Sequence, residues 1–142
     1  MIWKFIEHQK IILSCSLNLA SDKFREGCSS LKELNLSNFN TYNAINMNKK
    51  FERCSSLKKI NLSNFNTNNL TDMIAIFEGC YSLKEIKFPN FNTNNLINMR
   101  FMFKRCSSLE EINFSNFNIN NLTNFDNIFF GCSDDLKNKI RE

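Results

Sequence analysis

Hydrophobic and polar positions repeat along most of this chain with a fixed spacing. Cysteines stand at positions 28, 54, 80, 106 and 132, so each is 26 residues from the next. Between any two of them, the same order of apolar and polar residue types recurs. A constant period of this length is typical of stacked-repeat proteins, in which each unit buries its apolar side against its neighbours.

The first half of each unit has the spacing of a short strand. In the unit that begins at Cys54, Ile60 and Leu62 lie two residues apart and therefore point to the same side of an extended chain. Lys59 and Asn61 point to the opposite side. We therefore predict one strand per unit, with an apolar inner side and a polar outer side.

The second half of each unit has a different apolar spacing. Leu70, Met73, Phe77 and Cys80 are separated by three, four and three residues, which is typical of one face of a short helix. The two halves together predict an α/β solenoid with a parallel β-sheet on one side and short helices on the other.

The predicted helices have candidate ends. Asn69 is in position to cap a helix start, and Asn43, Asn95 and Asn121 repeat it. The three glycines of the chain all precede a cysteine, where a left-handed residue would end the helix: Gly27, Gly79 and Gly131. Arg53 and Arg105 take this place in the other units. Either the turn is only mildly left-handed, or these units bear a strain of about 1 kcal/mol.

Parallel stacking would place each residue beside its equivalent in the next unit, about 4.8 Å away. Two aromatic rows should then dominate the core. They are Phe39, Phe65, Phe91 and Phe117, and Phe51, Phe77, Phe103 and Phe129. Two asparagine columns are expected to satisfy turn backbone rather than to bind a ligand. They are Asn38, Asn64, Asn90 and Asn116, and Asn40, Asn66, Asn92 and Asn118.

Both ends of the chain depart from the repeat, which divides it into residues 1–27, four repeats over 28–131, and a closing segment over 132–142. Residues 1–27 are expected to form an amphipathic cap, because Ile2, Phe5, Ile6, Gln9, Ile12 and Leu13 recur at helical spacing, or a degenerate repeat. An export signal with a lipid-modified Cys15 is the alternative. Its apolar run, Ile11 to Leu13, is shorter than the roughly 7 to 15 residues such signals use.

The closing segment begins in register at Cys132 and then changes. Leu136 and Ile140 lie among charged residues, which predicts a polar closing helix. If the last repeat were not capped in this way, its exposed edge would allow end-to-end self-association.

The unit from Phe51 to Met73 closely resembles the BspA-like leucine-rich repeats of bacterial and protist surface proteins, and the resemblance extends over about residues 24–132. It implies a leucine-rich-repeat solenoid at the cell surface or secreted, with adhesion to other proteins and no enzymatic activity. Phe65 and its equivalents depart from the common repeat, which has asparagine there, and suggest an aromatic spine.

Catalytic and metal-binding chemistry is not indicated. The cysteine column is expected to pack as small buried side chains, since an odd row of five cannot pair completely and no C-x-x-C pair is present. His8 is the single histidine, so neither a zinc site nor a nucleophilic serine is supported. We predict no cofactor, no metal and no enzyme.

The net charge of +4 is unevenly distributed. Residues 80–105 carry +4 and residues 106–131 carry −3, which leaves no continuous basic stripe. We therefore predict no nucleic-acid binding. No apolar run approaches transmembrane length, so no membrane span is predicted.

The prediction for function is non-catalytic protein binding through the outward strand positions, as cell-surface adhesion or host and partner interaction. These positions are Glu33, Asn35, Lys59, Asn61, Glu85, Lys87, Glu111 and Asn113. The alternative is an intracellular scaffold or effector that binds cytosolic proteins through the same face. The resemblance favours a surface or secreted location, and the lack of a convincing signal peptide leaves a cytoplasmic one as the alternative.

Overall fold

The structure, a computed structural model, describes residues 11–12, 29–37, 41–63, 65, 67–88, 91–113, 123–124 and 126–141. Its regular elements are the strands β1 (Ile11–Ile12), β2 (Glu33–Asn35), β3 (Lys59–Asn61), β4 (Glu85–Ile86) and β5 (Glu111–Ile112), followed by helix α1 (Asp134–Arg141).

The strands pair in parallel, with partners 26 residues apart. Glu33 lies opposite Lys59 in β2 and β3, and Glu85 lies opposite Glu111 in β4 and β5. They form one sheet ordered β1-β2-β3 and another ordered β4-β5. Successive units therefore meet like position against like position.

Strand β1 covers the outer edge of β2. Ile11 pairs with Leu34 and Ile12 with Asn35, a spacing of 23 residues rather than 26. The helical spacing placed Ile12 on a helix face, whereas the structure has it in a strand, because the open edge of β2 offers unpaired backbone groups that a β-branched pair satisfies. Whether residues 1–27 form a cap or a degenerate repeat stays a prediction. The other residues of the N-terminal prediction, Cys15 included, lie outside the described residues.

The short helices predicted for each unit are not present in the described residues. Their place is taken by a run of consecutive turns, which we call the turn ribbon. It comprises residues 48–53, 74–79, 100–105 and 126–131.

The hydrogen bonds of the turn ribbon explain why it is not helical. Alternate N–H groups donate to the next unit: Ala75 to the Arg100 carbonyl, Phe77 to Met102 and Gly79 to Lys104. Three such bonds, of 2.7 to 3.2 Å, join each pair of neighbouring segments of the turn ribbon. The N–H groups in between bond three residues back within their own unit. In a helix the N–H groups beyond the first turn bond four residues back in the same unit, so they could not form this ladder between units.

Two positions in each segment of the turn ribbon adopt the left-handed backbone conformation. At the first, φ is 59° in Lys49, 54° in Ala75, 61° in Phe101 and 55° in Asn127. At the second, Gly79 and Gly131 have φ of 75° and 77°, and Arg53 and Arg105 have 61° and 62°. Arg53 and Arg105 therefore have the same left-handed conformation as Gly79 and Gly131. Of the two alternatives for the arginine units, a mildly left-handed turn is excluded and a strained one remains. An L-residue in this region bears a strain of about 1–2 kcal/mol.

The asparagines predicted as helix caps have another role. The side-chain amides of Asn69 and Asn95 donate to backbone carbonyls of the preceding unit, at Tyr42 (2.7 Å) and Asn68 (2.6 Å). With no helix to cap, the amide instead ties neighbouring turns together. Of the two asparagine columns assigned to turn backbone, Asn92 is described, and its Oδ1 accepts the Asn94 N–H (2.9 Å), which confirms that role there.

The core is one continuous cluster between the strands and the turn ribbon. Phe51, Phe77, Phe103 and Phe129 form a stacked row with ring centroids 5.5, 5.7 and 5.8 Å apart. In the other row Phe65 stacks on Phe91 at 6.2 Å, while Phe39 and Phe117 lie outside the described residues.

Phe88 joins the two aromatic rows. Its ring centroid lies 4.3 Å from that of Phe91 and 6.2 Å from that of Phe103. The two preceding units have a leucine at this position, Leu36 and Leu62. This contact connects the strand side of the unit to its turn ribbon.

Helix α1 is the closing helix that the sequence predicted. The Ser133 hydroxyl accepts the Leu136 N–H at 3.2 Å, and Asp134 and Asp135 place negative charge at the helix start. Leu136 is buried in the core cluster, and the Lys139 ammonium reaches the Glu110 carbonyl at 3.4 Å. The helix therefore covers the strand side of the last repeat.

Replacing Phe65 by alanine should lower the free energy of unfolding by about 3–5 kcal/mol, because its ring is 1% exposed and stacks on Phe91. Phe130→Ala is the matched control: this ring is 58% exposed, and its loss should change stability by about 0.5 kcal/mol or less. Denaturant titration measures both. A similar small loss in both variants would contradict the packing of the Phe65 row.

Glycine at a strained position should stabilise the chain. Lys49→Gly relieves a left-handed L-residue, and after the entropy that glycine adds to the unfolded chain we expect a gain of about 0.5–1 kcal/mol. Its neighbour Lys50 lacks a positive φ, so Lys50→Gly should cost about 0.5–1 kcal/mol. Denaturant titration measures the free energy of unfolding of both variants. A gain for Lys49→Gly and a loss for Lys50→Gly support the turn ribbon, whereas equal losses in both variants would indicate a helix.

Candidate protein-binding surface

The eight predicted binding residues lie on the outward side of the strands or directly after them, and we call this surface the strand face. Side chains of a strand alternate between its two sides, and Leu34, Ile60 and Ile86, which lie between the binding residues, are buried in the core. Six of the eight are exposed, and Glu33 and Asn35 are half-buried. The full set is Glu33, Asn35, Lys59, Asn61, Glu85, Lys87, Glu111 and Asn113.

The asparagines of the strand face also shape the turns that follow the strands. The Asn35 Oδ1 accepts the Ser37 N–H, and the Asn61 Oδ1 accepts the Ser63 N–H, both at 2.9 Å. This arrangement is an Asx-turn, in which the side chain imitates a backbone turn. These two asparagines therefore have a structural role on a surface that the sequence assigned to binding.

The charges of the strand face are mixed along the stack. Glu33 lies opposite Lys59, which is a favourable pair, and Glu85 lies opposite Glu111, which is a repulsive one. Lys87 offsets this repulsion because its Nζ lies 2.6 Å from a Glu85 carboxylate oxygen. That hydrogen bond, the charge of Glu85 and the more distant charge of Glu111 raise the pKa of Lys87.

The cysteine column is structural. Cys54, Cys80, Cys106 and Cys132 are free thiols and buried. The thiols of the last three donate to phenylalanine carbonyls 29 residues back in the chain, each at 3.1 Å, and these carbonyls belong to Phe51, Phe77 and Phe103. Each of these three cysteines therefore contributes a hydrogen bond between units as well as apolar volume.

The environment of these thiols opposes ionisation. Burial raises the pKa of Cys106 far above its usual value, and the neighbouring cysteines of the column raise it further. Burial also raises the pKa of Cys132. Because the thiolate is the form that attacks electrophiles and binds metals, these side chains lack the usual features of a reactive site. In the described part of the chain, no group of three or more potential ligands is placed to hold a metal ion.

A column of buried threonines is a feature that the sequence analysis missed. Thr41, Thr67 and Thr93 are each at most 3% exposed. The Thr67 hydroxyl donates to the Asn92 carbonyl and accepts the Asn92 N–H, both at 2.8 Å. The signal was the recurrence of threonine 13 residues after each cysteine of the first three units, at Cys28, Cys54 and Cys80.

A family model described as "Mycoplasma protein of unknown function, DUF285" matches residues 20–141, and the chain belongs to this family. Neither curated proteins nor solved structures gave a match to the chain. Across the described residues, no helix has the length and apolar character needed to cross a bilayer.

The buried thiols should resist modification in the native state. We expect Cys106 to be alkylated by iodoacetamide only as fast as the chain opens, because burial keeps the thiol both covered and protonated. Mass spectrometry of the digested chain, with and without denaturant, measures the rate at each cysteine. Alkylation of Cys106 at the same rate in both conditions would contradict the buried column.

Proposed function

We propose that this chain is a leucine-rich-repeat solenoid of the BspA-like type that binds another protein, without catalysis, through its strand face. The observation that carries this proposal is the strand face itself: outward side chains stand in 26-residue register while the residues between them are buried. Stacked repeats use such extended surfaces for binding.

The chemistry of the surface supports a protein partner. Lys59, Glu85, Lys87 and Glu111 present both signs of charge within neighbouring units, a pattern that selects a partner by electrostatic complementarity. The short strands hold these groups on a regular backbone, which lowers the entropy lost on binding.

Cell-surface adhesion is the setting that we propose for this binding. The support is the BspA-like resemblance, to which the matching family is related. An intracellular scaffold is the second candidate, and the specific observation in its favour is the column of free thiols, since reduced cysteines persist in reducing compartments.

Protease shaving and thiol labelling of intact source cells distinguish the two settings. A surface protein should be cleaved by added protease while a cytosolic marker survives. Cleavage of this chain supports adhesion and directs the search to matrix and host proteins. Protection, with free thiols after lysis, supports the intracellular scaffold.

A pair of charge reversals tests the strand face directly. Cross-linking on the native chain identifies the partner, and its affinity is then measured for Lys59→Glu combined with Lys87→Glu. We expect a loss of at least about tenfold, because both lysines are exposed on the strand face. The matched control is Lys49→Glu combined with Arg100→Glu on the turn ribbon, which makes the same change in net charge. An equal loss in both variants would reject the strand face as the binding surface.

A further inference from the structure

The turn ribbon accounts for most of the net positive charge of the protein. Its four segments contain six basic and three acidic residues, a net charge of +3 out of +4 for the chain. The six basic residues belong to the first and third segments, 48–53 and 100–105. The second and fourth segments contribute acidic residues only, Glu78 and Asp126.

The first and third segments form two rows of cations on either side of the second segment, whose two left-handed positions have small residues. Lys49 and Arg53 belong to the first row and Arg100 and Arg105 to the second, and all four are exposed. The segment between them has Ala75 and Gly79 at its left-handed positions, where both are buried beneath neighbouring side chains, and it carries the half-buried Glu78. The ladder of backbone bonds joins these segments in order, so the rows lie two unit spacings apart, about 10 Å.

Arginine and glycine alternate at the second left-handed position of successive segments and pack against each other there. A Cβ placed on Gly79 would lie 3.4 Å from the Arg53 Cγ, and one on Gly131 would lie 3.4 Å from the Arg105 Cγ. The stem of each arginine therefore lies beside the glycine of the next unit. The guanidinium group continues outward, and the Arg53 side chain is 83% exposed.

Few of these cations are neutralised. Within the described residues, ion pairs engage Lys104 with Glu78 at 2.8 Å and Arg53 with Glu52 at a longer 3.9 Å. Lys49, Arg100 and Arg105 have no ion pair in this part of the chain. An exposed guanidinium without a carboxylate presents a planar set of donors that suits sulfate and carboxylate groups.

Within the two basic rows, the ring of Phe101 contacts cations; the exposed Phe130 belongs to the fourth segment, outside these rows. The Arg100 guanidinium carbon and the Lys104 Nζ each lie 4.6 Å from the centroid of the Phe101 ring. Stacking of nucleic-acid bases requires an accessible ring face, and protein hot spots require aromatic anchors or pockets. Neither is a feature of these two basic rows, which favours a polymer recognised through its charged groups.

We propose that the turn ribbon binds an anionic polysaccharide, one that bears sulfate or carboxylate groups, across its two rows of cations. This binding uses a different side of the molecule from the strand face and is independent of the protein-binding proposal. The chain would then hold a polysaccharide on one side and a protein on the other.

Heparin, a sulfated polysaccharide, is the probe. Its affinity is measured by calorimetry on the full chain and by the salt concentration that elutes the chain from immobilised heparin. We expect Arg53→Gln combined with Arg105→Gln to bind at least about tenfold more weakly, since each variant residue loses a bidentate donor. Lys32→Gln combined with Lys58→Gln, exposed on the strand side, removes the same net charge and should change affinity less than about twofold.

Each result has a clear meaning. No retention of the wild-type chain on heparin, or equal losses in the two double variants, would overturn the proposal. Tighter binding to anionic lipid vesicles, single-stranded RNA or poly-glutamate than to heparin would overturn the assignment to polysaccharide. If thermal melting shows that the arginine variant is unfolded, Lys49→Gln combined with Arg100→Gln repeats the test on the same two rows.

Discussion

The backbone of one unit is completed only by its neighbours, and the rest of the structure depends on this constraint. In the turn ribbon alternate N–H groups have their acceptors in the following unit, at 2.7 to 3.2 Å. A second line of bridges joins Asn46, Asp72, Asn98 and Asn124, and the strands provide a third. Because a buried backbone group without a partner is costly, a unit cannot adopt this conformation alone. The repeat length is constant because an insertion or deletion in one unit would shift its donors away from the acceptors of the next unit.

The side-chain columns follow from the same register. Once equivalent residues lie about one strand spacing apart, flat rings stack and thiols reach the carbonyls above them. The interplanar angles of 5° to 13° in the Phe51 to Phe129 row show how closely the units repeat. The cost of this regularity is backbone strain at Lys49, Phe101 and their equivalents, which the hydrogen bonds between units offset.

Sequence reasoning located the repeat, its strand, the buried columns and the closing helix, because each depends on spacing. It failed at the turn ribbon, since Leu70, Met73, Phe77 and Cys80 are buried as an amphipathic helix would bury them. Apolar spacing reports which residues point inward and not where their N–H groups bond. The glycines before the cysteines marked left-handed backbone, but Lys49, Ala75 and Phe101 gave no such signal. The strand face was predictable from alternation, whereas the Asx-turns of Asn35 and Asn61 needed coordinates.

The alternation of glycine and arginine before successive cysteines has a consequence for how such a chain can change in length. Gly27, Arg53, Gly79, Arg105 and Gly131 alternate along the sequence, and each arginine stem lies beside a glycine where both are described. Loss of a single repeat would bring two arginines, or two glycines, into neighbouring units. Loss of a pair of repeats would preserve the order. A change of length by pairs of repeats therefore keeps each arginine stem beside a glycine.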